Sequence, residues 1–410
     1  MCSVQINNKR QFTLKIKIPA IVVFALLSLV SISSFAKQTV SGDFNNVVKN
    51  EEAQTGLQRA KIQMAILLDT SNSMDGLIDQ TRNQIWSVVN EFSTAKKNGL
   101  TPILEVALFE YGNDDNSESV GYVRKLNNFT RELDLVSEGL FSLKTNGGSE
   151  YCGYAIKTAV TDLQWSQSNH DIKTIFIAGN EAFTQGPVSH SAAIKLAEKN
   201  GIAVNTIFAG EFNAGISAGW QGGAHMAGGD YMSIDTNQKI VHIDAPQDKQ
   251  IAELNNQLNA TYIPYGRLGK ESEKRQLEQD EVSGSISSGL LAKRAKSKSS
   301  DFYNNSNWDL VDALQDGKVK EDELVTLDEE QLPEKMKAMS GDERKQYIQT
   351  QSKLRTQLKE EITRLGESRK QYVAEKKKEQ VESAPSVSDA LSNAVKKQAS
   401  KKGFKLEGKS

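Results

Sequence analysis

Three oxygen-bearing side chains spaced two apart, Asp69, Ser71 and Ser73, close the stretch 63–73, QMAILLDTSNS. One carboxylate and two hydroxyls are hard donors. They suit a hard divalent cation, Mg²⁺ first, with Mn²⁺ or Ca²⁺ as alternatives. The hydroxyls are neutral, so a cation held through them keeps most of its charge. An open position on such a cation attracts a carboxylate from another molecule. Such docking breaks no bond.

The elements around the triplet would place it well. The apolar run before Asp69 reads as a strand buried on both faces. An amphipathic helix should follow, with Ile78, Ile85, Val88, Val89 and Phe92 on one side. A strand that enters a helix through D-x-S-x-S sets the three oxygens at the carboxyl end of a central strand, where open α/β sheets bind ligands. The alternative is a plain strand-to-helix turn in which Ser71 or Ser73 only caps the helix.

The rest of the first half alternates strand and helix. Strands are expected at 103–109, 173–178, 203–209 and 230–234, with a short antiparallel edge strand at 122–126. Helices are expected at 131–141, 150–163, 191–199 and 247–259, with a short one within 219–228. Helices between successive strands require right-handed parallel crossovers. The fold class is therefore α/β: a doubly wound, mostly parallel sheet with helices on both faces over residues 61–265.

D-x-S-x-S in this setting resembles the metal-ion-dependent adhesion site (MIDAS) of the von Willebrand factor A (vWA) family. The stretches TNGGSEYCGYAI, IFIAGNEAFTQGPV and NTIFAGEF look like an exported bacterial branch of it. The resemblance implies a Rossmann-like vWA sheet in which both serines bind the metal directly and Asp69 acts through water. Two further loops would complete the site, and both depart from the family pattern. Where a threonine is usual, Gly147-Gly148 is followed by Ser149 and Glu150, either of which could fill the position. Glu150 would hold the cation better and leave it less attractive to a ligand; Ser149 would do the reverse. Where an acidic turn is usual, Asn180 offers a neutral amide. The bland alternatives are a first-turn acid favoured by the helix dipole for Glu150 and a turn residue for Asn180.

The chain has 410 residues, enough for two regions, with 50 Lys+Arg against 52 Asp+Glu. That balance gives no argument for a nucleic-acid partner. Residues 1–36 read as a signal peptide: Lys9, Arg10, Lys15 and Lys17 precede an apolar core, and Ser34-Phe35-Ala36 suits a signal peptidase. The protein is thus expected to be exported, periplasmic first, with secretion or anchoring through an uncleaved signal as alternatives and no other membrane span. Removal of Cys2 with the signal leaves Cys152 alone and no disulfide framework. Cys152 falls on the inward face of its helix, which favours burial.

Residues 37–60 read as a linker, and 266–300 as a second, charged and Ser/Lys-rich one. Residues 301–410 read as a charged α-helical region. In it Leu354, Leu358, Ile362 and Leu365 line one helical face, for a hairpin, a partner or self-association. Residues 387–404 close the chain as an amphipathic helix.

Three other patterns compete for attention. GISAG at 215–219 matches the G-x-S-x-G nucleophile elbow, with Ser217 as nucleophile and His225 or His242 as partner. A polar insert separates it from the preceding strand, and a glycine turn is the simpler reading. DALQDGKVKEDE at 312–323 partly matches a calcium loop, but Leu314 stands where an oxygen is needed. KRAKSKSS at 293–300 is basic and short. The leading expectation is a cation-dependent binding module that docks an acidic residue of a protein partner. A serine hydrolase using Ser217 and a metal-free scaffold acting through its C-terminal helices are the alternatives.

Overall fold

Strand β1, Lys61–Asp69, is buried along its length except at its first residue, as a near-continuous apolar run requires. Around it β3 (Ile103–Tyr111), β5 (Ile172–Gly179), β6 (Ala203–Ala209) and β7 (Tyr231–Ile234) run parallel, and β4 (Arg124–Thr130) lies antiparallel at the edge. The order is β4-β3-β1-β5-β6-β7. Taken over these six strands it is the 3-2-1-4-5-6 order of doubly wound sheets. The edge strand expected at 122–126 forms a little later. A minor pair, β2 (Ala95–Lys96) and β8 (Lys405–Leu406), ties the end of the chain to the start of the α/β unit.

The computed structural model describes residues 59–75, 78, 92, 95–234, 243–379 and 387–406, with backbone alone at 377–379 and 387–391. These residues belong to one compact unit. The expected signal peptide, the linker up to residue 58, most of the helix after Ser73, and His242 lie outside the described residues. Phe92, from that helix, is fully buried.

Alternation along β1 sorts two cores. Ile62, Met64, Ile66 and Leu68 face one side, and Ala65 and Leu67 the other. The second side is covered by α2 (Cys152–Asp162), α3 (His190–Lys199) and α5 (Trp220–Met226), with α4 (Phe212–Ser217) just before α5. The first side takes α1 (Leu133–Ser142) and α6 (Asp248–Asn259), and then the C-terminal helices.

That C-terminal packing corrects two expectations. Residues 266–300 are not a flexible linker: they form α7 (Gly269–Ile286) and α8 (Ser288–Ser299). The buried stripe of α7 is polar, made of Ser272, Gln276, Gln279, Asp280 and Ser283, so no apolar period announced it. Its carboxylate is matched from α8, where Arg294 Nε reaches Asp280 at 2.6 Å and Lys298 Nζ at 2.7 Å. Arg294 also reaches Asp134 of α1 at 2.6 Å, which fastens these helices to the sheet domain.

The charged region holds α9 (Leu310–Gln315), α10 (Glu334–Lys337), the 39-residue α11 (Gly341–Glu379) and α12 (Val387–Lys401). Leu358, Ile362 and Leu365 of α11 join the core with Ala292 and Ala295 of α8. Leu354 does not: it is 41% exposed. The neighbouring Arg355 takes the inward place, with Asp309 at 2.7 Å, Asp312 at 2.9 Å and the Thr261 carbonyl at 2.7 Å. Asp312 is therefore engaged, and Asp316-Gly317, with Gly317 at φ +68°, is the turn that ends α9 rather than part of a calcium loop.

Candidate metal centre

The strand ends are level, so four loops leave the sheet at one edge. Asp69 pairs in register with Tyr111, Leu68 with Ala178, and Gly179 with Phe208. Backbone hydrogen bonds then bind a fifth loop to the first. Asn146 N–H donates to the Thr70 carbonyl at 2.9 Å, and Asn72 N–H to the Gly147 carbonyl at 2.8 Å. The glycine loop is thereby held over the end of β1.

Asp69 is fully buried beneath this edge. Ser71 N–H donates to its Oδ1 at 2.8 Å. Ser71 opens a short 3₁₀ turn, Asn72–Met74, without a side-chain capping bond. Its Oγ lies 2.8 Å from Ser73 Oγ instead, so helix capping does not account for Ser71. Ser73 Oγ donates to Asn180 Oδ1 at 2.8 Å, and Asn180 Nδ2 returns a bond to the Ser73 carbonyl at 3.0 Å. Asn180 is thus seated by the serine loop, more than a turn residue alone requires.

Ser149 and Glu150 separate clearly. Glu150 is buried, and its backbone N–H is held by Gln185 Oε1 at 2.5 Å. A Cβ at Gly112 would come within 2.8 Å of Asp69 Oδ1, 3.1 Å of Glu150 Cγ and 3.6 Å of Ser71 Cβ. The acids of β1 and of the glycine loop therefore converge on one small space. Ser149 is half-buried beside them.

Two glycines and a tyrosine make that space, and the sequence reading passed over all three. Gly112 has φ +76°, which favours glycine independently of the crowding. A Cβ at Gly179 would meet the Tyr111 hydroxyl at 2.4 Å and Asp69 Oδ2 at 3.0 Å. Tyr111 donates to the Ala178 carbonyl at 3.0 Å, and the Cys152 thiol lies 3.6 Å from its oxygen. Cys152 is buried, as expected, and burial pushes its thiol far above the ordinary range.

The electrostatics are those of two buried acids that no described cation compensates. Asp69 Oδ2 and Glu150 Oε2 are buried and have no hydrogen-bond partner among the described residues. Burial pushes the Asp69 carboxyl up to about 7 against the bonds from Ser71, and the charge of Glu150 adds to the rise. Burial raises Glu150 too, opposed by hydrogen bonds, with Glu181 adding to the rise. Orphaned buried carboxylate oxygens are costly. Two of them beside two hydroxyls and an amide oxygen form a hard-donor set that fits a divalent cation. Among the described residues no group of three or more His, Cys, Asp or Glu is arranged for a metal, so any cation here would rely on neutral oxygens as well.

Ser217 sits in α4, not at a strand end, and its Oγ donates back to the Asn213 carbonyl at 3.0 Å. That is ordinary helix-surface bonding and lacks the elbow geometry.

A mostly parallel sheet in this order, with one antiparallel edge strand, is a vWA-like fold. No protein-family model matches the chain, and no curated protein matches it. Among solved structures it is similar to proximal thread matrix protein 1 of the mussel byssus, at 13% identity and a TM-score of 0.34 over 44% of this chain and 43% of that one. One structure of that mussel protein has a zinc-occupied MIDAS motif. The chain is also similar to the conserved hypothetical protein BatB from Bacteroides thetaiotaomicron, at 17% identity and a TM-score of 0.31 over 42% of this chain and 90% of that one. The SpRpn10 VWA domain matches at 17% identity and a TM-score of 0.32 over 43% of this chain and 90% of that one. The chain spans less than half the length of the mussel protein. The fold stands on strand order and direction rather than on these likenesses. No described helix is long and apolar enough to cross a membrane.

Proposed function

We propose that this chain is an exported binding module that takes one divalent cation, Mg²⁺ first, at the carboxyl edge of its sheet and docks a protein partner there. Asp69, Ser71, Ser73, Glu150 and Asn180 would hold the cation, with Ser149 adjacent. The bound ion would supply a coordination position for an acidic side chain of the partner. The observation that carries this reading is the pair of buried carboxylate oxygens, on Asp69 and Glu150, that no donor of the described chain satisfies.

The chain's own residues divide the work. Ser71 N–H orients Asp69, Asn180 anchors Ser73, and Gln185 positions the backbone at Glu150. Glu150 as a second acid gives a better-held and less electrophilic cation than an all-hydroxyl set, so partner affinity depends more on the surrounding surface.

Calorimetric titration of the full chain with MgCl₂ tests the reading. Binding by the wild type and its loss in Asp69→Ala are expected. Equal binding by the two proteins would overturn it.

A further inference from the structure

We propose that the edge carrying Asp69 selects a basic partner: a protein surface or peptide in which one carboxylate is flanked by lysine or arginine. The carboxylate rests on the metal-site reading above. The basic flanks rest on a separate observation.

Five described segments, the loops 70–75, 112–121, 143–151 and 180–189 and the stretch 210–219 that carries α4, meet at this edge. They expose Asp75, Asp114, Asp115, Glu118, Glu181 and Glu211 around the buried Glu150, against a single cation, Lys144. Over the whole chain the signs are nearly equal, 50 against 52, so the excess is a local separation of charge. None of these carboxylates forms an ion pair with a described residue. Their recorded partners are neutral donors that fix the loops and leave the charge in place. Asn146 Nδ2 donates to Asp115 at 2.9 Å, Ala214 N–H to Glu211 at 2.9 Å, and Thr145 to Asp75.

A ring of acids alone would be a solvated rim. What directs this one at a ligand is its centre, where Asp69 and Glu150 bury oxygens that nothing satisfies. A wholly acidic partner would bring like charge within the screening distance of the rim, about 8 Å at physiological salt. A partner with basic flanks turns the same contacts favourable, speeds encounter and excludes competitors by repulsion. Val120, Phe212 and Ile216 are exposed at the same edge, and such a contact would cover them.

Three peptides of equal length test the proposal on the full chain: one central aspartate flanked by lysines, the same flanked by glutamates, and a lysine-flanked control with asparagine at the centre. Each is titrated in 5 mM Mg²⁺ at low and high salt, beside a titration with Mg²⁺ alone. The lysine-flanked aspartate peptide is expected to bind at least about ten-fold tighter than the glutamate-flanked one at low salt, with the gap shrinking at high salt. The combined variant Asp114→Asn, Asp115→Asn, Glu118→Gln, Glu211→Gln keeps the hydrogen-bonding shapes. It should close the gap while Mg²⁺ is still taken up, with an affinity lowered only by the lost rim charge. Equal binding of the two aspartate peptides, no binding of either, or an unchanged gap in the variant would overturn the proposal. The metal reading is judged apart from it. A lysine preference in a chain that takes up no Mg²⁺ supports the rim and ends the metal site; Mg²⁺ uptake with no preference does the opposite. The asparagine control shows how much affinity the carboxylate itself adds.

Discussion

Asp69 and Asp280 are the same side chain at similar depth, in opposite surroundings. Asp280 lies among α7, α8 and α6, and the chain brings it Arg294 at 2.6 Å, Lys298 at 2.7 Å, and the amides of Asn255 and Asn259 at 2.7 Å each. Burial alone would raise its carboxyl; Lys298 and Arg294 hold it well below the usual carboxylate range. Asp69 receives only neutral donors, with a second acid beside it, and is pushed up to about 7. In the helical layer the chain supplies the cations and the acids become part of the scaffold. At the sheet edge no described cation pairs with Asp69 or Glu150, and their charge is left for something from outside.

The largest effect that could break this contrast is in the helical layer. Arg355→Ala would strand Asp309 and Asp312 in the interior, both of which it now pairs. Removing one partner of a buried ion pair costs about 3–5 kcal/mol. Urea unfolding should show a loss of that size; less than about 1 kcal/mol would mean the pairing is not structural.

Neutralising Asp69 should have the opposite sign. In metal-free protein at pH 8, Asp69→Asn removes a carboxylate that burial has pushed from its ordinary value up to about 7, and should stabilise the fold by about 2–4 kcal/mol. The same variant should lose most of its Mg²⁺ affinity. A destabilisation comparable to that of Arg355→Ala would erase the distinction between the two regions.

The pH dependence sharpens it further. The metal-free folded chain keeps a proton on Asp69 where the unfolded chain has released it. This group's contribution to stability is therefore fully present below about pH 4 and is lost as pH rises through about 7. Mg²⁺ competes with that proton, so it should raise the unfolding temperature more at pH 8 than at pH 6. Thermal scans with equal Mg²⁺ increments at both values would contradict the assignment. The smallest effect belongs to Leu354, outside both clusters: Leu354→Ser should change stability by no more than about 0.5 kcal/mol. A loss typical of a core truncation would put Leu354 on the buried face that its spacing suggests.

What the sequence revealed follows the same division. Strands of the α/β unit are apolar runs ended by glycine or polar residues, so β1, β3, β5, β6 and β7 could be placed close to their observed bounds. D-x-S-x-S stood at a strand end and was readable for that reason. The spacing left Ser149 and Glu150 both open, because a one-residue shift in a loop carries no periodic signal; the structure adds that Glu150 is the buried one. Gly112, Gly179 and Tyr111 shape the space through close approach, which only coordinates display. Helix α7 was hidden because its inward residues are serines, glutamines and a paired aspartate, and α8 because its few inward apolar residues, Leu290, Ala292 and Ala295, are interleaved with buried Arg294, Lys298 and serines, which a search for apolar spacing scores as solvent-facing. The register of α11 was missed on the same ground: its inward position is the charged Arg355, and the apolar Leu354 beside it is the exposed one.

The central claim is that the acids at the sheet edge await a cation the chain does not provide. Anomalous diffraction from crystals of the full chain in millimolar MnCl₂ tests it most directly. The account expects a manganese peak within bonding distance, about 2.0–2.5 Å, of the Ser71 and Ser73 hydroxyls and beside Asp69 and Glu150. A well-ordered site showing only water next to those oxygens would contradict it.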